Sequence, residues 1–131
     1  MGVRLPSVAS TAITNPLPST AIETVICTLP PLNIPLDFAQ ILLFWFASIT
    51  LAGNGANLTM RLRRGTTTSG ATVGTGGWGV TAAASTLVIL SGCYPDTPGA
   101  IAGQQYCLTC LQAGNTVAGT VNDVAMIALV L

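Results

Sequence analysis

The stretch ILLFWFASITLA, residues 41–52, is the strongest apolar run in the chain, and its reading decides the fold. A membrane-spanning helix needs roughly 20 consecutive apolar residues. This run ends after twelve, at Gly53-Asn54-Gly55. A soluble helix draws on charged helix formers that are scarce here: Lys is absent altogether, while β-branched Thr, Val and Ile recur throughout. A strand remains. On a strand, successive side chains point to opposite faces, so Ile41, Leu43, Trp45, Ala47, Ile49 and Leu51 share one face and Leu42, Phe44, Phe46, Ser48 and Thr50 the other. A strand wet on one side alternates apolar with polar. Here both faces begin apolar, so the Leu42-Phe44-Phe46 face is expected to be covered by another layer or another subunit. The C-terminal VAMIALVL, residues 124–131, has the same two-sided character. Two such strands in a small domain favour a closed oligomer, and a trimer is a common solution for jelly rolls.

Outward from this strand, short β-rich runs alternate with turn chemistry. Strands are predicted at residues 22–29, 38–52, 57–64, 71–75, 78–83, 86–91, 104–112 and 117–131, the last broken near Asn122-Asp123. PPLNIPLD reads as a long loop, GNG as a tight hairpin, GTTTSG and GTGG as turns, and YPDTPG as a proline-led turn. The fold class is all-β: a single-domain antiparallel β-sandwich or jelly roll of about eight strands over residues 21–131. Residues 1–20 hold Pro6, Pro16 and Pro18 among Ser, Thr and Ala with no hydrophobic period. Proline favours extended backbone and blocks helix. This segment reads as an extended N-terminal arm, loose in isolation or laid against a neighbouring chain.

Composition bears on the surface. The chain has 131 residues, enough for one core, and is 50% hydrophobic but only 6% charged, with a net charge of zero. Soluble domains average about 25% charged residues. Near-zero net charge favours association, so much of the surface is expected to be covered by copies of the chain or by a partner. No membrane partner is expected. The residues after Arg4 lack the uninterrupted apolar core of a secretory leader, so none is expected.

Nothing in the sequence assembles catalytic chemistry. There is no histidine, and Glu23, Asp37, Asp96 and Asp123 are isolated in sequence. A cysteine nucleophile would lack its usual base, so no enzyme and no cofactor are expected. Asp96 and Asp123 read as turn residues. The four cysteines are Cys27, Cys93, Cys107 and Cys110. CLTC has the spacing of a zinc knuckle, but QQYCLTCLQ alternates like a strand and would point Cys107 and Cys110 to opposite faces. Zinc, a disulfide between some pair and buried thiols all stay open, with buried thiols the expectation. RRGTTTSGATVGTGG has the glycines of a phosphate loop but no lysine and no helix, and that reading fails.

In NLTMRLRRG, Leu58, Met60 and Leu62 share one face while Thr59, Arg61 and Arg63 share the other, with Arg64 leaving into the turn. One basic cluster in a neutral chain is a poor nucleic-acid footprint, so direct nucleic-acid contact is not expected. An acidic patch on a partner, or Glu23 and Asp37 of a neighbouring copy, is the expected mate. A solvated edge strand guarded by charge is the alternative.

The segments LTMRLRRGTTTSGATVG, VTAAASTLVILSG, DTPGA and GQQYCLTCLQAGNTVAGTVNDVAMIALVL, spread between Leu58 and Leu131, resemble tailed-bacteriophage capsid cement or decoration proteins, small jelly-roll virion proteins that sit as trimers on icosahedral heads. The resemblance implies a non-enzymatic virion protein on the capsid surface, assembled in the host cytoplasm. Its partners would be the major capsid protein and itself, as a homotrimer. The interface residues would be Leu42, Phe44 and Phe46, the arginines Arg61, Arg63 and Arg64, and the arm with Pro6, Pro16 and Pro18. A second expectation is a receptor- or glycan-binding head-fibre or tail module on the same sandwich, displaying Trp78, Tyr94 and Asp96.

Overall fold

A computed structural model of the chain describes residues 7–11, 15–18, 22–34, 40–52, 57–79, 86–114 and 118–131. Within these the architecture is all-β, with eleven strands: β1 (Ser7–Thr11), β2 (Asn15–Leu17), β3 (Thr24–Thr28), β4 (Leu32–Ile34), β5 (Ile41–Leu51), β6 (Asn57–Arg64), β7 (Thr72–Gly79), β8 (Thr86–Asp96), β9 (Ile101–Gln104), β10 (Tyr106–Ala113) and β11 (Gly119–Val130). All pairings are antiparallel. One sheet runs β1-β11-β5-β8, with β2 also on β11; the second runs β3-β10-β6-β7; β4 and β9 form a short ribbon.

The decisive stretch is β5, a central strand between β11 and β8. Its Ile41, Leu43, Ala47, Ile49 and Leu51 are fully buried and Trp45 nearly so. They meet Leu58, Met60 and Leu62 of β6 and Leu108 and Cys110 of β10 in one core between the two sheets. β6 spans the residues expected for it, with Leu58, Met60 and Leu62 turned inward as alternation requires.

Elsewhere the elements differ from expectation for physical reasons. GTGG is not a turn: Gly76 and Gly77 pair with Met60 and Thr59, so β7 is continuous. Gly74 makes room, since a Cβ there would collide with the Tyr94 ring from β8. The expected 104–112 strand begins earlier and divides at Gln105 into β9 and β10. β8 runs on through Tyr94 and Pro95 to Asp96, past the expected end at residue 91. The break at Asn122-Asp123 is a register shift between Val121 and Asp123 against β5, a bulge that lets the strand bend without ending. Residues 7–11 and 15–17, expected in an arm loose or on a neighbour, are hydrogen-bonded along β11 of the same chain.

Candidate docking face

The second face of β5 is the feature that the core does not absorb. Leu42, Phe44 and Phe46 point away from the β6-β10 sheet, Leu42 and Phe46 half-buried and Phe44 exposed at 40%. Register places Ile127 of β11 directly opposite Phe44, Leu129 opposite Leu42 and Ala125 opposite Phe46. On the other flank β8 sets Cys93 opposite Phe44, Ser91 opposite Phe46, Ile89 opposite Ser48 and Leu87 opposite Thr50. Leu87, Ile89 and Ile127 are exposed at 56%, 63% and 38%. Phe44, Phe46, Ala125 and Ile127, with Trp45 beneath, line a shallow groove of about 130 Å³. Across β8, β5 and β11 the only charged side chain on this face among the described residues is Asp123, at its end beside Ser48. The result is a largely apolar surface, uncharged around Phe44 and Ile127, on a three-stranded base. Single exposed apolar residues are ordinary, but contiguous patches mark contact surfaces.

The β8 contribution was missed by sequence reading, because Leu87 and Ile89 alternate with Val88 and Leu90 and no polar residue distinguishes the two faces. Cys93, expected to be buried, is exposed on this face, whereas Cys27, Cys107 and Cys110 are buried. None of the four is in a disulfide. Cys110 lies in the core and its burial pushes the thiol up to about 12. Cys107 points the other way, its Sγ 3.7 Å from the Thr67 carbonyl, and burial raises it to about 11. The divergence of these two cysteines is the strand alternation expected for CLTC.

The arginines find their carboxylates inside the chain. Glu23 lies over the outer face of the β6-β10 sheet. Arg63 grips it with two hydrogen bonds, Nε to Oε1 at 2.7 Å and Nη2 to Oε2 at 2.9 Å, and Arg61 Nη1 donates to Oε2 at 2.9 Å. The Thr109 hydroxyl donates a short hydrogen bond to the same carboxylate. Arg63 Nη1 also reaches the Gly70 carbonyl at 2.8 Å, tying down the turn after β6. The Arg63 hydrogen bonds outweigh burial and hold the Glu23 carboxyl at about 2. Arg64 leaves the opposite side of β6 and pairs with Asp96, Nε to Oδ2 at 2.8 Å. Asp96 also accepts from the Tyr106 hydroxyl at 2.8 Å and from the Thr97 N–H at 3.0 Å. Burial pushes the Asp96 carboxyl up, but Arg64 and Tyr106 together hold it below its ordinary value. Asp96 is thus a buried ion-pair partner as well as a turn residue.

Of the other expected interface residues, Pro6 lies outside the described residues. The Pro16 backbone pairs with Thr120, and Pro18 follows β2 half-buried. Asp37 also lies outside the described residues. Of the glycan candidates, Tyr94 packs against Gly74 and the core, and Asp96 pairs with Arg64 and Tyr106. The Trp78 side chain lies outside the described residues.

No family model matches the chain, and no curated protein does. Solved structures do. The chain is similar to the T13 particle of infectious bursal disease virus, with a TM-score of 0.61 at 12% identity over 96% of this chain and 31% of that one. Derived T=1 particles of the same virus give 0.60 at 12% identity over 94% of this chain and 31% of theirs. Latent PorU from Porphyromonas gingivalis gives 0.56 at 13% identity, over 95% of this chain and 12% of that one. This chain therefore spans about a third of the viral chains it matches. The chain has an antiparallel β-sandwich fold of the kind found in viral capsid proteins.

Proposed function

We propose that this chain is a non-enzymatic structural protein of a virion, a cement or decoration protein that binds an assembled shell through the outer face of its β8-β5-β11 sheet. The observation that carries this reading is the uncharged apolar surface around Phe44 and Ile127. The capsid-like fold and the very low charge content support it. The major capsid protein of a tailed-phage head is the partner, and the trimer implied by the sequence resemblance is one way of ordering copies on the shell.

The physics is linkage. A protein that binds the assembled shell and not its dispersed subunits stabilises the shell by mass action, and many copies act together. Fully burying one large apolar side chain contributes about 1.5–3 kcal/mol; Phe44 and Ile127 are 40% and 38% exposed, so each adds a fraction of that and the contact draws on the whole face. The arginines are given the smaller part in this reading, because Glu23 and Asp96 already pair them within the fold, although Arg61 and Arg63 share one carboxylate and Arg61 and Arg64 stay partly exposed.

The test is co-sedimentation with empty shells of the major capsid protein. Wild type is expected to pellet with the shells and to raise their disruption temperature. The Phe44→Asp, Ile127→Asp double variant is expected to stay in the supernatant with an unchanged circular dichroism spectrum. Binding of the double variant at wild-type affinity would refute the assignment.

A further inference from the structure

β8 is an end strand, and among the described residues its only ladder partner is β5. The opposite edge of the same sheet is closed by short extended segments, β1 and β2, laid along β11. Before Pro95 and Asp96 at its end, β8 carries none of the usual edge protection. From Leu87 to Tyr94 it has no charge and no proline, and its register against β5 runs without a bulge. Its outward side chains include Ile89, at 63% the most exposed of the large hydrophobic residues described. An open strand edge offers a row of backbone donors and acceptors, and the occupant that satisfies such a row is another extended strand.

We propose that β8 pairs antiparallel with β8 of a second copy across a two-fold axis, joining two sheets into one. A strand paired antiparallel with itself is self-complementary, as a two-fold contact requires. The apolar, uncharged outward residues meet their own kind, and nothing on this edge calls for an oppositely charged partner. Register is restricted, because directly opposite residues share a face and outward residues must therefore oppose outward residues. Placing Ile89 on the axis opposite the partner's Ile89 overlaps residues 87–91 and sets Leu87 diagonal to the partner's Ile89, bringing together the two exposed large hydrophobic side chains of the strand. The overlap is about 17 Å long at ~3.3 Å per residue. That is less than a standard stable interface, so the pair is reversible in solution and strengthened wherever copies are held close together.

This pairing does not depend on shell binding and is read separately from it. Sedimentation velocity over a concentration series is expected to show wild type associating into even copy numbers. Ile89→Lys and Ile89→Glu each put like charges on the axis, and each is expected to halve the sedimenting mass with the β-sheet spectrum retained. Mixing the two variants in equal amounts is expected to restore the wild-type mass, because Lys then faces Glu. A wild-type mass of one or three protomers throughout, an unchanged mass for Ile89→Lys, or a mixture that stays dissociated overturns the proposal.

Discussion

Glu23 holds two arginines and a threonine at once, and this makes it the acid-sensitive point of the second sheet. Its folded carboxyl titrates at about 2 against an ordinary 4.5. A depressed carboxylate contributes its full stability above the ordinary value and loses it as pH falls through the folded one. Glu23→Gln is therefore expected to destabilise the protein by about 1–3 kcal/mol at neutral pH. The gap from wild type should narrow between pH 4.5 and 2. Urea unfolding at several pH values, compared through midpoints at constant slope, measures this. Tyr106 is a milder case. Tyr106→Phe removes one donor from Asp96 but leaves Arg64 and the Thr97 N–H in place, so a loss of about 1 kcal/mol is expected in the same assay.

The elements were legible where two-residue alternation had a polar face to read, and obscure where it did not. β6 alternates Leu58, Met60 and Leu62 with Thr59, Arg61 and Arg63, and its limits and inward face follow from the sequence alone. β8 has aliphatic residues on both faces, so neither its exposed side nor its extension to Asp96 could be read. β7 failed differently. Its glycines look like a turn, yet the strand continues through them and Gly74 leaves room for the Tyr94 ring arriving from the facing sheet, a long-range cause that no local pattern carries. The intramolecular mate of the arginines was hidden for the same reason, since Glu23 and Arg63 are 40 residues apart. A second close approach lies within one sheet, where Gly92 of β8 stands opposite Trp45 of β5. A Cβ on Gly92 would lie 2.6 Å from Trp45 Nε1, so Gly92→Ala is expected to cost about 1–3 kcal/mol by overpacking. Thermal or urea unfolding measures the loss, and near-ultraviolet circular dichroism should report displacement of the Trp45 ring.

As a whole molecule the protein divides its labour between two sheets. The β3-β10-β6-β7 sheet pairs Arg61 and Arg63 with Glu23 within the fold, while the β8-β5-β11 sheet shows a largely apolar face whose one described charge is Asp123. Association through such a face involves little charge, so shell binding is expected to change less than about threefold between low and high salt, where contacts between exposed charges are strongly screened. Equilibrium co-sedimentation at two ionic strengths checks this, and a steep fall with salt would point back to the arginines. The pairing of β1 with β11 has a kinetic side. Ser7 lies opposite Ala128, so about 120 residues of chain must close before that ladder can form, and contacts so distant in sequence slow folding. During synthesis the early strand has no mate until β11 has left the ribosome, and the sheet it completes can zip only after most of the domain has been made.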